Sequence, residues 1–259
     1  MPEDEVFHLE SRHLGLVTPQ EMENLQEKVR QAGEILAKTV DLELLEEIAG
    51  EAAVWKADVS EESEKTGSLK SQNAPVRIAV ARDEAFCFYY KDNLELLESL
   101  GCEVIEFSPL HDKKLPENVK GILLGGGYPE LYGEQLAENQ SMLESIRRAL
   151  DDKIPCLAEC GGFMYLHEQM EDMDGVFRKT CGVIPGKCFR TPRLTRFGYI
   201  TLTAGKPVFG RSAEEIGEIP AHEFHYFDSE NCGSDFHAAK PMSKRGWDCM
   251  HSSSNLLAG

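Results

Sequence analysis

No apolar run in this 259-residue chain approaches the ~20 residues that a helix needs to cross a bilayer. The N-terminus also lacks the charged-then-apolar start of a secretory leader. Basic side chains are scarce: 27 Lys and Arg stand against 45 Asp and Glu, a net charge of −18. Such a surface repels a phosphate backbone, which argues against nucleic acid as a partner. The eight cysteines form no C-x-x-C pair. Without a leader, reduced thiols in a cytoplasmic protein are the expectation, each one a small core residue or a nucleophile. Neither G-x-x-x-x-G-K-[ST] nor G-x-G-x-x-G occurs, so no phosphate loop is present. Internal repeats and low-complexity tracts are missing too. What remains, 41% hydrophobic and 28% charged, is an ordinary globular composition.

Residues 1–74 carry a net charge of −10 and the remainder −8. Within the first part, Leu25, Val29, Ala32, Leu36 and Val40 recur at helical spacing, so 20–50 is expected to be helical. Thr18-Pro19 with Glu21 has the pattern of its N-cap. A second short helix is expected over Asp41–Ala53. The polar stretch 58–74 is expected to be a linker, with a domain boundary near 56–75.

Beyond it, apolar strands alternate with amphipathic helices. The strands are expected at 76–81, 102–107, 119–127 and 154–159, and the helices at 92–100, 130–150 and 161–170. This order implies an α/β fold, a mostly parallel sheet with helices on both faces. From Cys181 onward the chain is strand-rich.

The sharpest chemical feature is Ala158-Glu159-Cys160-Gly161-Gly162, where a strand meets a helix start. A cysteine there is held exposed, with the positive end of the helix favouring thiolate and the Gly161 N–H free for an oxyanion. The plainer reading is a buried cysteine in a tight turn. Leu124-Gly125-Gly126-Gly127-Tyr128-Pro129-Glu130 ends another strand; it is either a simple glycine turn or the second half of an oxyanion hole. In His222-Glu223-Phe224-His225-Tyr226, strand geometry puts His222, Phe224 and Tyr226 on one face and Glu223 with His225 on the other. A metal there is disfavoured. His167 is expected to pack on the helix after Cys160. Arg190, Arg193 and Arg196 are either an anion site or solvated. The aromatics Phe86, Phe88, Tyr89 and Tyr90 suit a surface meeting another domain.

Taken in order, AVARDEAFCFYYKDNLELLESLGCEVIEFSPLHD, LLGGGYPELY, AECGGFMYL and HEFHY resemble the cobyrinic acid a,c-diamide synthases. More narrowly, about residues 76–259 resemble their glutamine amidotransferase domain of the cobyric/cobyrinic type. The resemblance implies a class I, flavodoxin-like amidotransferase fold over 75–259. Arg12-His13-Leu14-Gly15-Leu16-Val17 resembles the tail of the same family's ATP-dependent synthetase domain, so 1–57 is expected to be the remnant of that domain.

The resemblance implies that Cys160 attacks the side-chain amide of glutamine while the Gly126 and Gly161 N–H groups hold the oxyanion. The ammonia released amidates the a and c carboxylates of a corrin precursor bound by the synthetase domain. No cofactor or metal is expected in this chain, since ATP and Mg²⁺ serve the missing synthetase part. Glutamine, the corrin precursor and a second copy of the chain are the expected partners; nucleic acid and membrane are not. The family places its catalytic histidine in an H-x-H stretch just after the segment resembling Trp247–Gly259, so the chain has the look of a fragment cut at both ends. Two alternatives stay open: a non-catalytic module of the same fold, and another cysteine hydrolase of the same α/β class.

Overall fold

The computed structural model describes residues 3–12, 15–19, 21–53 and 74–259. The chain divides into two compact units, Met1–Ser68 and Leu69–Gly259. The expected linker at 58–74 lies, apart from Ala74, outside the described residues.

In the first unit a small ladder of β1 (Ser11–Arg12) and β2 (Gly15–Leu16) precedes α1 (Leu25–Thr39) and α2 (Leu42–Glu51). The expected N-cap is displaced. Thr18 Oγ1 donates to the Glu21 carboxylate at 2.6 Å, but α1 starts only at Leu25, after Asn24 at φ 58°. The side-chain bond closes a local turn instead of a helix. Asp41 does cap α2, accepting the Leu44 N–H at 3.0 Å. The apolar stripe is present, yet Val29, Leu36, Leu45 and Ile48 remain exposed.

The second unit contains, in order, β3 (Val76–Ala81), β4 (Phe86–Phe88), α3 (Lys91–Ser99), β5 (Cys102–Phe107), β6 (Gly121–Leu124), β7 (Gly126–Gly127), α4 (Gly133–Glu138), α5 (Gln140–Asp151), β8 (Cys156–Ala158) and α6 (Gly161–Leu166). There follow β9 (His167–Glu171), β10 (Phe177–Lys179), β11 (Ile184–Arg190), β12 (Arg196–Ala204), α7 (Ala213–Ile216), β13 (Glu218–His225), β14 (Phe227–Ser229), β15 (Phe236–Ala239), β16 (Gly246–Cys249), β17 (His251–Ser252) and β18 (Leu256–Ala258).

The principal sheet runs β5-β3-β6-β8-β18-β17. Its first five strands are parallel, and β17 closes the edge antiparallel to β18. The four apolar runs expected to form parallel strands do so. The fifth, Leu256–Ala258, is too short to show a period; it is held by register with Cys156–Ala158. Ala79, Ile122, Leu124, Cys156 and Ala158 of the sheet pack with Leu136, Met142, Leu143 and Ile146 in one core. Two antiparallel-rich sheets, β10-β9-β11-β14 and β13-β12-β15-β16, account for the strand-rich remainder.

Two helices differ from expectation. The helix expected over 130–150 is a 3-10 turn at Pro129–Tyr132, then α4, then α5. Asn139 makes the break: its amide donates to the carbonyls of Pro109 at 2.8 Å and Asp112 at 2.7 Å, while its own carbonyl accepts the Met142 N–H at 3.0 Å. The helix expected over 161–170 stops at Leu166, because His167–Glu171 is captured as a strand between β10 and β11. Tertiary pairing outweighs local helical propensity here.

Candidate active site

β8 ends at Ala158 and α6 begins at Gly161. Between them Cys160 sits at φ 51° and ψ −107°, a conformation that costs an L-residue on the order of 1–3 kcal/mol. Backbone bonds hold it there. The Cys160 N–H donates to the Gly259 carbonyl at 3.0 Å, and the Gly162 N–H donates to the Gly125 carbonyl at 2.9 Å. Gly162 has no alternative, because a Cβ would overlap the Leu124 carbonyl. Cys160 is partly exposed.

The glycine loop reaches the same point from β6. A Cβ on Gly126 would lie 3.5 Å from that of Cys160 and 3.3 Å from the Phe88 ring. Gly127 runs so close to the Ala85 carbonyl that a Cβ would overlap it. β4 pairs antiparallel with β7 and forms the loop's outer wall. The Tyr89 hydroxyl accepts the Gly125 N–H at 2.8 Å and donates to the Ala81 carbonyl. This corrects the expectation of an interdomain surface for Phe86 and Tyr89; Phe88 and Tyr90 are exposed. Phe86 is fully buried against Tyr165, Phe88 meets the Tyr128 ring edge-on at 5.2 Å, and Tyr89 props the loop from beneath. Tyr90 is well exposed.

Desolvation of the sulfur opposes the expected helix-stabilised thiolate. Burial pushes the Cys160 thiol up to about 11, and the Glu130 and Glu159 carboxylates push the same way. The Gly161 N–H pulls in the other direction and is outweighed. α6 has six residues, so its dipole is small against desolvation of the sulfur. At neutral pH the thiol keeps its proton. Among the described residues no histidine ring is hydrogen-bonded to that sulfur.

The structure thus brings together Cys160, Gly126 and Gly161. Of the other candidates, His167, His225 and Arg196 are packed, and His222, Arg190 and Arg193 are exposed. His167 is fully buried at the start of β9 and not on a helix. Its Nδ1–H donates to the Phe163 carbonyl at 2.9 Å, and Nε2 accepts the Ser229 hydroxyl at 2.7 Å. His222 lies on the exposed face of β13 among Phe197, Tyr199 and Phe224, as strand alternation requires. His225 turns inward and donates from Nδ1 to the Phe227 carbonyl at 2.6 Å. Arg190 and Arg193 are exposed, whereas Arg196 is half-buried 3.7 Å from Asp228.

Sequence reasoning passed over Glu130. It is 2% exposed, in the turn directly after the glycine loop. Among the described residues no group of three or more His, Cys, Asp or Glu could hold a metal ion. No described helix is long and apolar enough to cross a membrane. All eight cysteines are free.

A cysteine in a strained strand-to-helix turn, faced by a glycine loop, can form an acyl intermediate on sulfur and hold its oxyanion. Residues 77–248 match the model of the CobB/CobQ-like glutamine amidotransferase domain. Over its full length the chain is 40% identical to 56% of a protein named cobyrinate a,c-diamide synthase from Clostridium acetobutylicum. A protein of the same name from Salmonella typhimurium is 40% identical over 85% of the chain and 46% of its own length. Another, from Methanothermobacter thermautotrophicus, is 36% identical over 87% of the chain and 48% of its own length. The chain therefore spans about half the length of the curated relatives it matches. With the family model covering well over half of its residues, the chain belongs to the CobB/CobQ-like glutamine amidotransferase domain family.

Proposed function

We propose that the Leu69–Gly259 unit hydrolyses glutamine on Cys160 and supplies ammonia to a cobyrinate a,c-diamide synthase. The observation that carries this reading is the juxtaposition of the strained Cys160 with Gly126, within a chain of this family. The thiol loses its proton and the sulfur attacks the side-chain amide carbon. The Gly126 and Gly161 N–H groups donate to the oxygen that becomes negative. The C–N bond then breaks, the departing nitrogen takes up a proton and leaves as ammonia, and a thioester remains. Water hydrolyses it to glutamate and restores the thiol.

With a thiol near 11, this chemistry needs a proton acceptor. The resemblance puts an H-x-H stretch directly after the segment that ends at Gly259. The Gly259 carbonyl accepts the Cys160 N–H at 3.0 Å, so a stretch in that place would lie beside the sulfur. ATP-dependent activation and the corrin site are assigned to a synthetase domain, and no step here runs through them.

The test is covalent labelling with the glutamine analogue 6-diazo-5-oxo-L-norleucine, located by peptide mass spectrometry. Label on Cys160, lost in Cys160→Ala, supports the reading. Label distributed over the other cysteines, or glutamate release that survives Cys160→Ala, overturns it.

A further inference from the structure

Two features of the sequence have no part in the chemistry at Cys160: the aromatic stretch 222–226 and the arginines at 190, 193 and 196. The fold brings them to one end of one sheet. β12 lies between β13 and β15, and the register sets Phe197 opposite Phe224 and Tyr199 opposite His222. These four rings share the outer face. Neighbouring centroids are 5.2–5.7 Å apart, in edge-to-face contact. The solvated face of an antiparallel sheet is normally polar. Here Tyr199 is 75% exposed, Phe197 59% and Phe224 37%. Further along β12 the same face carries Thr201 and Thr203, so the rings are gathered at one end. Contiguous exposed rings of this kind mark a binding surface.

Cations collect at the same end, in a chain whose net charge is −18. On the β13 side, the loop that carries Arg193 is fastened to the strand end, where the Thr191 N–H donates to the Tyr226 carbonyl at 2.7 Å. On the β15 side, the turn into β16 carries Lys240, Lys244 and Arg245. Lys240 Nζ donates to the Phe197 carbonyl at 2.6 Å. Arg196 is matched by Asp228 at 3.7 Å and Lys240 by Glu223 at 4.0 Å. Arg190, Arg193, Lys244 and Arg245 are exposed, and among the described residues none of the four forms an ion pair. The field over the rings therefore favours an anion, and the rings favour an apolar body. A nucleotide carries its charge at one end, and an acidic peptide has no flat body. A flat macrocycle with carboxylates around its edge matches rings that have cations on two sides.

We propose that the outer face of β12 and β13 docks a flat macrocycle with peripheral carboxylates, its ring over Phe197, Tyr199 and Phe224 and its carboxylates toward Arg193 and the turn at Lys244 and Arg245. This face belongs to the amidotransferase unit and is additional to the corrin site assigned to the synthetase domain. The unit that releases ammonia then also gathers the acceptor. The inference rests on the ammonia-acceptor reading above.

Trp247 reports on this face, because Arg196, the neighbour of Phe197 in β12, lies 5.5 Å from its ring. In a Trp55→Phe background it is the single indole. Corrins absorb where indole emits, so docking quenches it. The probes are cobyrinic acid and cobinamide, the latter with its carboxylates amidated; both are used as dicyano complexes so that no histidine ligates the cobalt. Citrate, which has carboxylates and no ring, is the competitor. Cobyrinic acid is expected to quench saturably, more weakly as salt rises, and to bind about tenfold more tightly than cobinamide. Equimolar citrate leaves the quenching in place. Phe197→Ala with Tyr199→Ala weakens cobyrinic acid about tenfold, as loss of ring contacts requires. Arg193→Glu, in an exposed loop, weakens it severalfold and flattens the salt dependence.

Absence of saturable quenching overturns the inference. So does equal affinity for the two corrins, displacement by equimolar citrate, or quenching unchanged in the double alanine variant. Should that variant fail to fold, Arg193→Glu and the comparison of the two corrins still decide. If the diazo analogue labels Cys160 and no corrin docks, this inference alone fails. If cobyrinic acid docks as expected and the diazo analogue spares Cys160, the docking face stands and the glutamine reading fails.

Discussion

The backbone N–H of Cys160 donates to the carbonyl of Gly259 at 3.0 Å, and the Gly259 N–H donates to the Ala158 carbonyl at the same distance. The strained turn is thereby clamped to the end of β18, the last parallel strand of the sheet. The position of Cys160 and the path of the chain at Gly259 are one structural fact.

The first consequence is a pH profile. A thiol near 11 is thiolate to only a small extent at neutral pH. The rate of Cys160 alkylation by iodoacetamide is expected to rise about tenfold per pH unit from 7 to 10 and to level off only near the thiol's own pKa. A chain extended past Gly259 by an H-x-H stretch is expected to shift that profile to lower pH, because an imidazole beside the sulfur accepts its proton. Peptide-resolved alkylation rates check both. A profile that levels off near neutral pH in the unextended chain contradicts the first expectation.

Gly162 fixes the other side of the turn. A methyl group there overlaps the Leu124 carbonyl in the middle of the sheet, so Gly162→Ala must move backbone. Overpacking of this kind costs typically 1–3 kcal/mol, or more where backbone is the obstacle. The expected outcome is a thermal midpoint lowered by roughly 5–10 °C, with alkylation of Cys160 altered because its turn no longer closes. Gly210, where nothing stands within 4 Å of a Cβ but φ is +84°, should show only the smaller penalty of backbone strain in Gly210→Ala.

Much of this architecture was legible in the sequence, and the misses have a common cause. The apolar runs at 76–81, 119–127 and 154–159 marked the inner parallel strands, because strands covered on both faces need no polar alternation, while the edge strand 102–107 keeps Glu103 and Glu106 exposed. Cys160 was legible because glycines crowd a strand-to-helix junction. Long-range partners defined what was missed. Leu256–Ala258 is a strand only by pairing with β8. His167–Glu171 leaves the helix because β10 and β11 bracket it. Asn139 breaks a periodic helix for two carbonyls nearly thirty residues upstream. Glu130 looks like an ordinary first-turn acid until the fold buries it.

His167 makes stability depend on pH. Burial holds its imidazole below the usual value, and the hydrogen bonds define a neutral ring: Nδ1–H on the Phe163 carbonyl, Nε2 accepting from Ser229. In the unfolded chain the ring titrates near 6.5. A depressed folded pKa means that the unfolded state binds the extra proton first, so stability is intact above about pH 6.5 and falls as pH drops below it. Thermal midpoints measured from pH 8 to pH 5 should decline through this window. Ser229→Ala, which removes the hydroxyl bonded to Nε2, should lower the midpoint at pH 8.

Tyr89 tests whether the glycine loop is held for chemistry. Its hydroxyl accepts the Gly125 N–H at 2.8 Å and donates to the Ala81 carbonyl, joining the loop to the end of β3. The phenol is largely buried, and desolvation raises its pKa, so it remains a neutral donor across the working pH range. Tyr89→Phe keeps the ring, whose place is fixed tightly enough that a Cβ on Gly125 would strike it. What it removes is the partner of a buried N–H, at a cost of about 1–3 kcal/mol. The thermal midpoint should therefore fall by several degrees. Labelling by the diazo analogue should slow, because its carbonyl oxygen must settle against the Gly126 N–H next to the loosened residue. Alkylation by iodoacetamide, which needs no oxyanion site, should keep its rate. A variant that slows both reagents equally would mean that Tyr89 supports the turn at Cys160, and one that slows neither would remove Gly126 from the oxyanion site.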